Sequence, residues 1–124
     1  MLFRPGHTDL VPGITTVSNI TGTSATFAAR LEIAGDTILN PKELRARGFE
    51  IALDEGFVAI VRTYAIENDN KEYPEFSRRA HGPAPDNDES SEFARNTIYF
   101  VRAYSRTSAA GTTYGEARQF RTLP

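Results

Sequence analysis

The run from Thr97 to Arg106 constrains this chain most. Tyr99, Val101 and Ala103 fall on one side of it, and Ile98, Phe100, Arg102 and Tyr104 on the other. Side chains alternate in this way only along an extended strand, and aromatic and β-branched residues suit a pleated surface. The same period of two recurs from Ser24 to Ala34, where Phe27, Ala29, Leu31 and Ile33 oppose Thr26, Ala28, Arg30 and Glu32. Two such runs must be paired into sheets, because an isolated strand leaves its backbone donors and acceptors unmatched.

Other strands are predicted at Ile14–Val17, at Arg47–Leu53 with Phe49, Ile51 and Leu53 on one face and Glu50 on the other, at Glu75–Arg79 and at Tyr114–Thr122. Phe57–Ile66 reads as a further strand, apolar on both faces near its start and therefore covered on both sides. Turn chemistry separates them: Gly22, Gly35-Asp36, Asp54-Glu55-Gly56 and Gly111. The best helical stretch is Pro41–Arg47, with Asn40 as N-cap and Pro41 at the first helical position, one or two turns long. Residues 1–13 read as a lead-in broken by Pro5-Gly6 and Pro12-Gly13. His81–Ser91 reads as a loop, since no aliphatic residue larger than Ala is present to offset the entropy of ordering it. Many short strands punctuated by turns predict an all-β antiparallel sandwich of about seven strands, spanning 14–124.

The 124 residues suit one domain. Without cysteine, neither disulfides nor thiolate metal sites are open to it. A net charge of -2 gives no bulk attraction for nucleic acid or anionic membrane, and no apolar run is long enough to span a bilayer. The basic residues are nearly all arginine, which is read here as decoration of strand faces.

Three segments together carry a resemblance. They are Val17 to Phe27, Ala46-Arg-Gly-Phe-Glu-Ile51, and Asn96 to Tyr104 continuing through Ala110-Gly-Thr-Thr-Tyr-Gly115 to Phe120-Arg-Thr122. The chain resembles the fibronectin type III-like modules of bacterial surface and secreted proteins. That resemblance implies an immunoglobulin-like sandwich and an extracellular or cell-surface setting within a longer exported chain. It also implies a spacer or adhesion role with no cofactor. Tyr99 matches the tyrosine corner of such sandwiches, whose ring enters the core while the hydroxyl bonds to upstream backbone. Phe93 sits six residues earlier, where the family usually has leucine. Ala29 stands where many animal members carry tryptophan. The core implied by this register includes Phe27, Phe49, Phe93, Tyr99, Val101 and Phe120.

No catalytic constellation is legible. His7 and His81 lack a nucleophile or metal partner at a recognisable spacing, so the chain is expected not to be an enzyme. Asp86, Asp88 and Glu89 could suggest calcium, but Ser91 and Thr97 stand where an EF-hand loop needs its glycine and final glutamate. A solvated acidic loop accounts for them better, and the Glu67-Asn-Asp-Asn70 turn is weaker still. Asn19-Ile-Thr21 meets the glycosylation rule, which is idle in a bacterial source. The alternative to a spacer is a glycan- or peptide-binding module that uses Phe100, Arg102 and Tyr104, on the face opposite Tyr99, because aromatic plus arginine is the composition of protein and glycan contact surfaces. Ordinary cross-strand packing of those rings is the simpler account.

Overall fold

The long alternating run becomes the central strand of one sheet. The structure is a computed structural model and describes residues 10–33, 44–66, 75–80, 93–107 and 111–124. Nine strands are present among these residues: β1 (Leu10–Pro12), β2 (Thr16–Ser18), β3 (Ala25–Ile33), β4 (Leu44–Ala52), β5 (Ile60–Ala65), β6 (Glu75–Ala80), β7 (Ile98–Thr107), β8 (Gly111–Tyr114) and β9 (Arg118–Arg121). One sheet has β3 at its centre, paired with β1, β2 and β6. The other runs β5-β4-β7, with β8 and β9 both paired to β7. Every pairing is antiparallel.

Four of the nine are halves of two split strands. β1 and β2 follow one another along β3, and the Gly13 amide bridges the break by donating to Arg30 O. β8 and β9 follow one another along β7, bridged by the Gly115 amide donating to Ala103 O. Counted once each, they leave the seven strands expected of a sandwich of this kind. The two breaks meet. A Cβ on Gly115 would lie 2.6 Å from Gly13 O, and Arg118 Nε donates to Thr15 O at 3.3 Å. The absence of a side chain at 115 therefore lets the first and last strands approach backbone to backbone.

Alternation sets the core. Phe27 from β3, Phe49 from β4 and Val101 from β7 are fully buried, with Tyr99, Phe93 and Phe120 close behind. Their rings form a continuous cluster, Phe27 lying 5.8 Å from Phe49 and 5.4 Å from Phe120. Burying each such ring contributes about 1.5–3 kcal/mol relative to leaving it exposed. Ala29 is buried without a larger ring at its position.

The structure corrects four expectations. Leu44–Arg47 is the start of β4 and not helical, because Leu44 to Arg47 pairs with Ser105 to Thr107 across the sheet; tertiary pairing overrides a weak local propensity. Phe57 is not in a strand. It sits in the turn before β5 at φ +56°, and Val58 beside it is 90% exposed, so the apolar run is not covered on both sides. The strand expected at Tyr114–Thr122 is broken after Tyr114, which ends β8, and resumes as β9 at Arg118; Gly111, at φ +73°, opens β8. Leu10–Pro12 pairs with β3, so the sandwich already includes part of the lead-in. The helix start at 40–43, the loop at 81–91, the acidic groups within it, the Glu67–Asn70 turn and both histidines lie outside the described residues.

Candidate functional site

Tyr99 and Phe93 shape the end of the sandwich from which the chain leaves. Tyr99 is 2% exposed, its ring lies 4.8 Å from that of Phe93, and its hydroxyl accepts the Ala94 amide at 2.9 Å. Thr122, also buried, completes the corner. Its hydroxyl accepts the Thr97 amide at 2.9 Å and donates to Ala94 O at 2.5 Å. Asn96 makes the intervening turn at φ +50°, a conformation that asparagine tolerates better than most residues. The Leu123 amide then donates to Thr21 O, which ties the last residues to the turn before β3.

The outer face of the β4–β7–β8 sheet carries Phe100, Arg102 and Tyr104, all half-buried. Register places Glu50 of β4 opposite Arg102, Gly48 opposite Tyr104, and Tyr114 of β8 on the other side of Tyr104. Arg102 is the hub. Its Nε and Nη2 donate to Glu50 Oε1 at 3.0 and 2.8 Å, while its guanidinium lies 4.2 Å from the Phe57 ring and 3.7 Å from the Tyr114 ring. The charge is thus neutralised by a carboxylate and held between two aromatic faces, each able to contribute attraction where water is partly excluded.

The turn that delivers Phe57 is tightly specified. The Asp54 carboxylate accepts the Val58 and Ala59 amides at 3.1 and 2.7 Å, and Asp54 O accepts the Phe57 amide. Those amide bonds hold the Asp54 carboxyl below its usual range, first through Ala59 and then through Val58. A bulky residue at positive φ is strained; here the strained turn folds back and lays a buried ring against Arg102. Burial raises the Tyr104 phenol above its ordinary value, only partly offset by nearby Arg106.

Across from Tyr104, β4 presents Gly48. A Cβ there would stand 1.9 Å from Tyr64 O, so this position on β4 carries no side chain. Sequence reasoning found Phe100, Arg102 and Tyr104 but not Glu50, Phe57 or Tyr114, which join them only through cross-strand register and turn geometry. It also missed Arg47. This residue is 2% exposed, points inward from β4 and stacks 5.0 Å over the Phe76 ring, so it does not decorate an outer face. Arg62 and Arg78 lie over the Tyr64 ring nearby, at 5.4 and 5.1 Å.

The other sheet has a shallow outer groove of about 490 Å³ among Ile14, Thr16, Ala28, Arg30, Glu75 and Ser77. Its rim is a solvent-exposed Arg30–Glu75 ion pair. Among the described residues no cluster of His, Asp or Glu has the makings of a metal site.

No family model matches the chain, and no curated protein matches it. Solved structures do. The structure of PhoD aligns with a TM-score of 0.60 and 21% identity over 89% of this chain, which spans only 18% of that one. The sixth fibronectin type III domain of human fibronectin type III domain containing protein 3 aligns with a TM-score of 0.60 and 16% identity, covering 98% of this chain and 92% of that one. The sensor domain of the anti-sigma factor RsgI4 of Pseudobacteroides cellulosolvens aligns with a TM-score of 0.56 and 13% identity, covering 93% and 76%. At these identities the likeness is one of fold, and together with the paired sheets and the tyrosine corner it makes this protein a fibronectin type III-like β-sandwich.

Proposed function

We propose that this domain is a non-catalytic spacer or adhesion module of a longer extracellular or cell-surface protein, its partners being neighbouring domains and surface proteins or glycans. The path of the chain supports this reading. Leu10 pairs with Ile33 at one end of β3, whereas Leu123 is hydrogen-bonded to Thr21, just before the other end. The nine residues of β3 separate the points of arrival and departure by about 30 Å. A domain that receives the chain at one end and releases it at the other adds length when set in series. The corner at Ala94 and Thr122 fixes the direction in which the chain leaves.

The test is a head-to-tail fusion of two copies of the full chain, compared with one copy by small-angle scattering. The maximum dimension should grow by at least the length of the sandwich, about 30 Å. Two copies that fold side by side, with little growth in length, would refute the spacer role.

A further inference from the structure

We propose that the outer face formed by Tyr104, Tyr114, Glu50 and Arg102 binds neutral oligosaccharide. This reading goes beyond the spacing role and does not depend on the path of the chain.

Four observations carry it. First, Tyr114 is 42% exposed and Tyr104, directly across from it, is half-buried, so two phenol rings sit side by side on a sheet. Second, the platform is fixed before any ligand arrives, since Tyr114 stacks on a guanidinium that Glu50 and the strained Phe57 turn hold from the other sides. A preorganised surface loses little freedom on binding. Third, no side chain stands across from Tyr104 on β4, because the Tyr64 carbonyl excludes one at Gly48.

The fourth observation selects the ligand. Both arginine bonds go to Glu50 Oε1, so Glu50 Oε2 and Arg102 Nη1 take no part in the pair, and the side chains of Glu50 and Arg102 keep 12% and 22% exposure. A fixed acceptor thus lies beside a fixed donor, next to the two phenol hydroxyls. A sugar hydroxyl is both donor and acceptor and matches such a pair. The ion pair is internally neutralised, so it offers no net charge to a sulfated or carboxylated chain. A proline-rich peptide has carbonyl acceptors but no proline N–H, and would leave the Glu50 oxygen unmatched. The C–H faces of a sugar suit the negative faces of the aromatic rings, and the ring hydroxyls suit the donor–acceptor pair.

The experiment titrates the full chain with neutral hexasaccharides of glucose, mannose and xylose, with a heparin hexasaccharide and a proline-rich decapeptide alongside. Chemical-shift changes are followed by NMR. A neutral hexasaccharide should bind in the millimolar range or tighter, with shifts concentrated at Tyr104 and Tyr114. Tyr114→Ala and Glu50→Gln should each weaken binding by about tenfold, and Tyr114→Phe should retain most of it. Amide spectra of the variants establish that they are folded. Should Tyr114→Ala unfold, Tyr114→Leu, which keeps apolar bulk but no ring, replaces it with the same expectation. Absence of binding to every neutral hexasaccharide, binding unchanged in a folded variant without the Tyr114 ring, or preference for heparin or the peptide would each overturn the proposal.

Discussion

The corner around Ala94 can be taken apart one bond at a time. Tyr99→Phe keeps the ring packed against Phe93 and Phe120, at 4.8 and 5.7 Å, and removes only the acceptor for the Ala94 amide. A net hydrogen bond is worth about 1 kcal/mol, and Ala94 is exposed enough for water to replace part of it, so the expected loss is about 1 kcal/mol. Thr122→Val removes two bonds, the one from the Thr97 amide and the one to Ala94 O, and should cost about 2 kcal/mol. Both side chains hold Ala94, one by its N–H and one by its C=O. Once either is gone the turn loosens and the remaining bond is worth less. The double variant should therefore lose at least about 0.5 kcal/mol less than the sum of the singles. Urea unfolding followed by circular dichroism and tyrosine emission gives all four free energies, since the chain has five tyrosines and no tryptophan. In a thermal scan, a loss of 1 kcal/mol should appear as a drop of about 4 °C. Losses that add within about 0.3 kcal/mol, or a Tyr99→Phe variant as stable as the parent, would refute Ala94 as a shared pivot.

The remaining predictions concern glycine, an orphaned hydroxyl and acid. Gly48→Ala drives a Cβ into the Tyr64 carbonyl and should cost more than about 2 kcal/mol, whereas Gly56→Ala, whose Cβ meets nothing closer than 3.4 Å, should stay within about 0.5 kcal/mol; equal effects in equilibrium unfolding would contradict the packing at β4 and β5. Thr15 is fully buried and its hydroxyl has no partner among the described residues, so Thr15→Val should raise stability by about 1 kcal/mol in the same assay, and a loss would mean that the hydroxyl is satisfied. The Asp54 carboxyl is lowered from 3.8 by its amide bonds, so the stabilisation it gives over Asp54→Asn is fully present above about pH 4 and disappears as pH falls through its folded-state value. A difference between the two proteins that grows on acidification would reverse the sign of that argument.

The local alternation in Thr97–Arg106 and Ser24–Ala34 was enough to determine the class of fold, because residues two apart on a strand share a face wherever the strand is placed. The resemblance to a tyrosine corner then assigned Tyr99 and Val101 to the core side and Arg102 to the outer side. Other features depend on partners distant in the chain. Leu44–Arg47 has no strong preference of its own and becomes strand because β7 supplies its hydrogen bonds. Alternation back from Phe49 directs Arg47 inward, but its stack on Phe76 comes from the opposite sheet and is not legible along the chain. Phe57 belongs by composition to an apolar strand. The Asp54 carboxylate turns it into a left-handed bend, and Arg102 supplies the surface that buries its ring. The outer cluster joins residues 48, 50, 57, 102, 104 and 114, brought together by register and by one folded-back turn. Side-chain period is a property of a few neighbouring residues and can be read along the chain; register and turn placement are settled by non-local hydrogen bonds and burial, and only the assembled sandwich decides them.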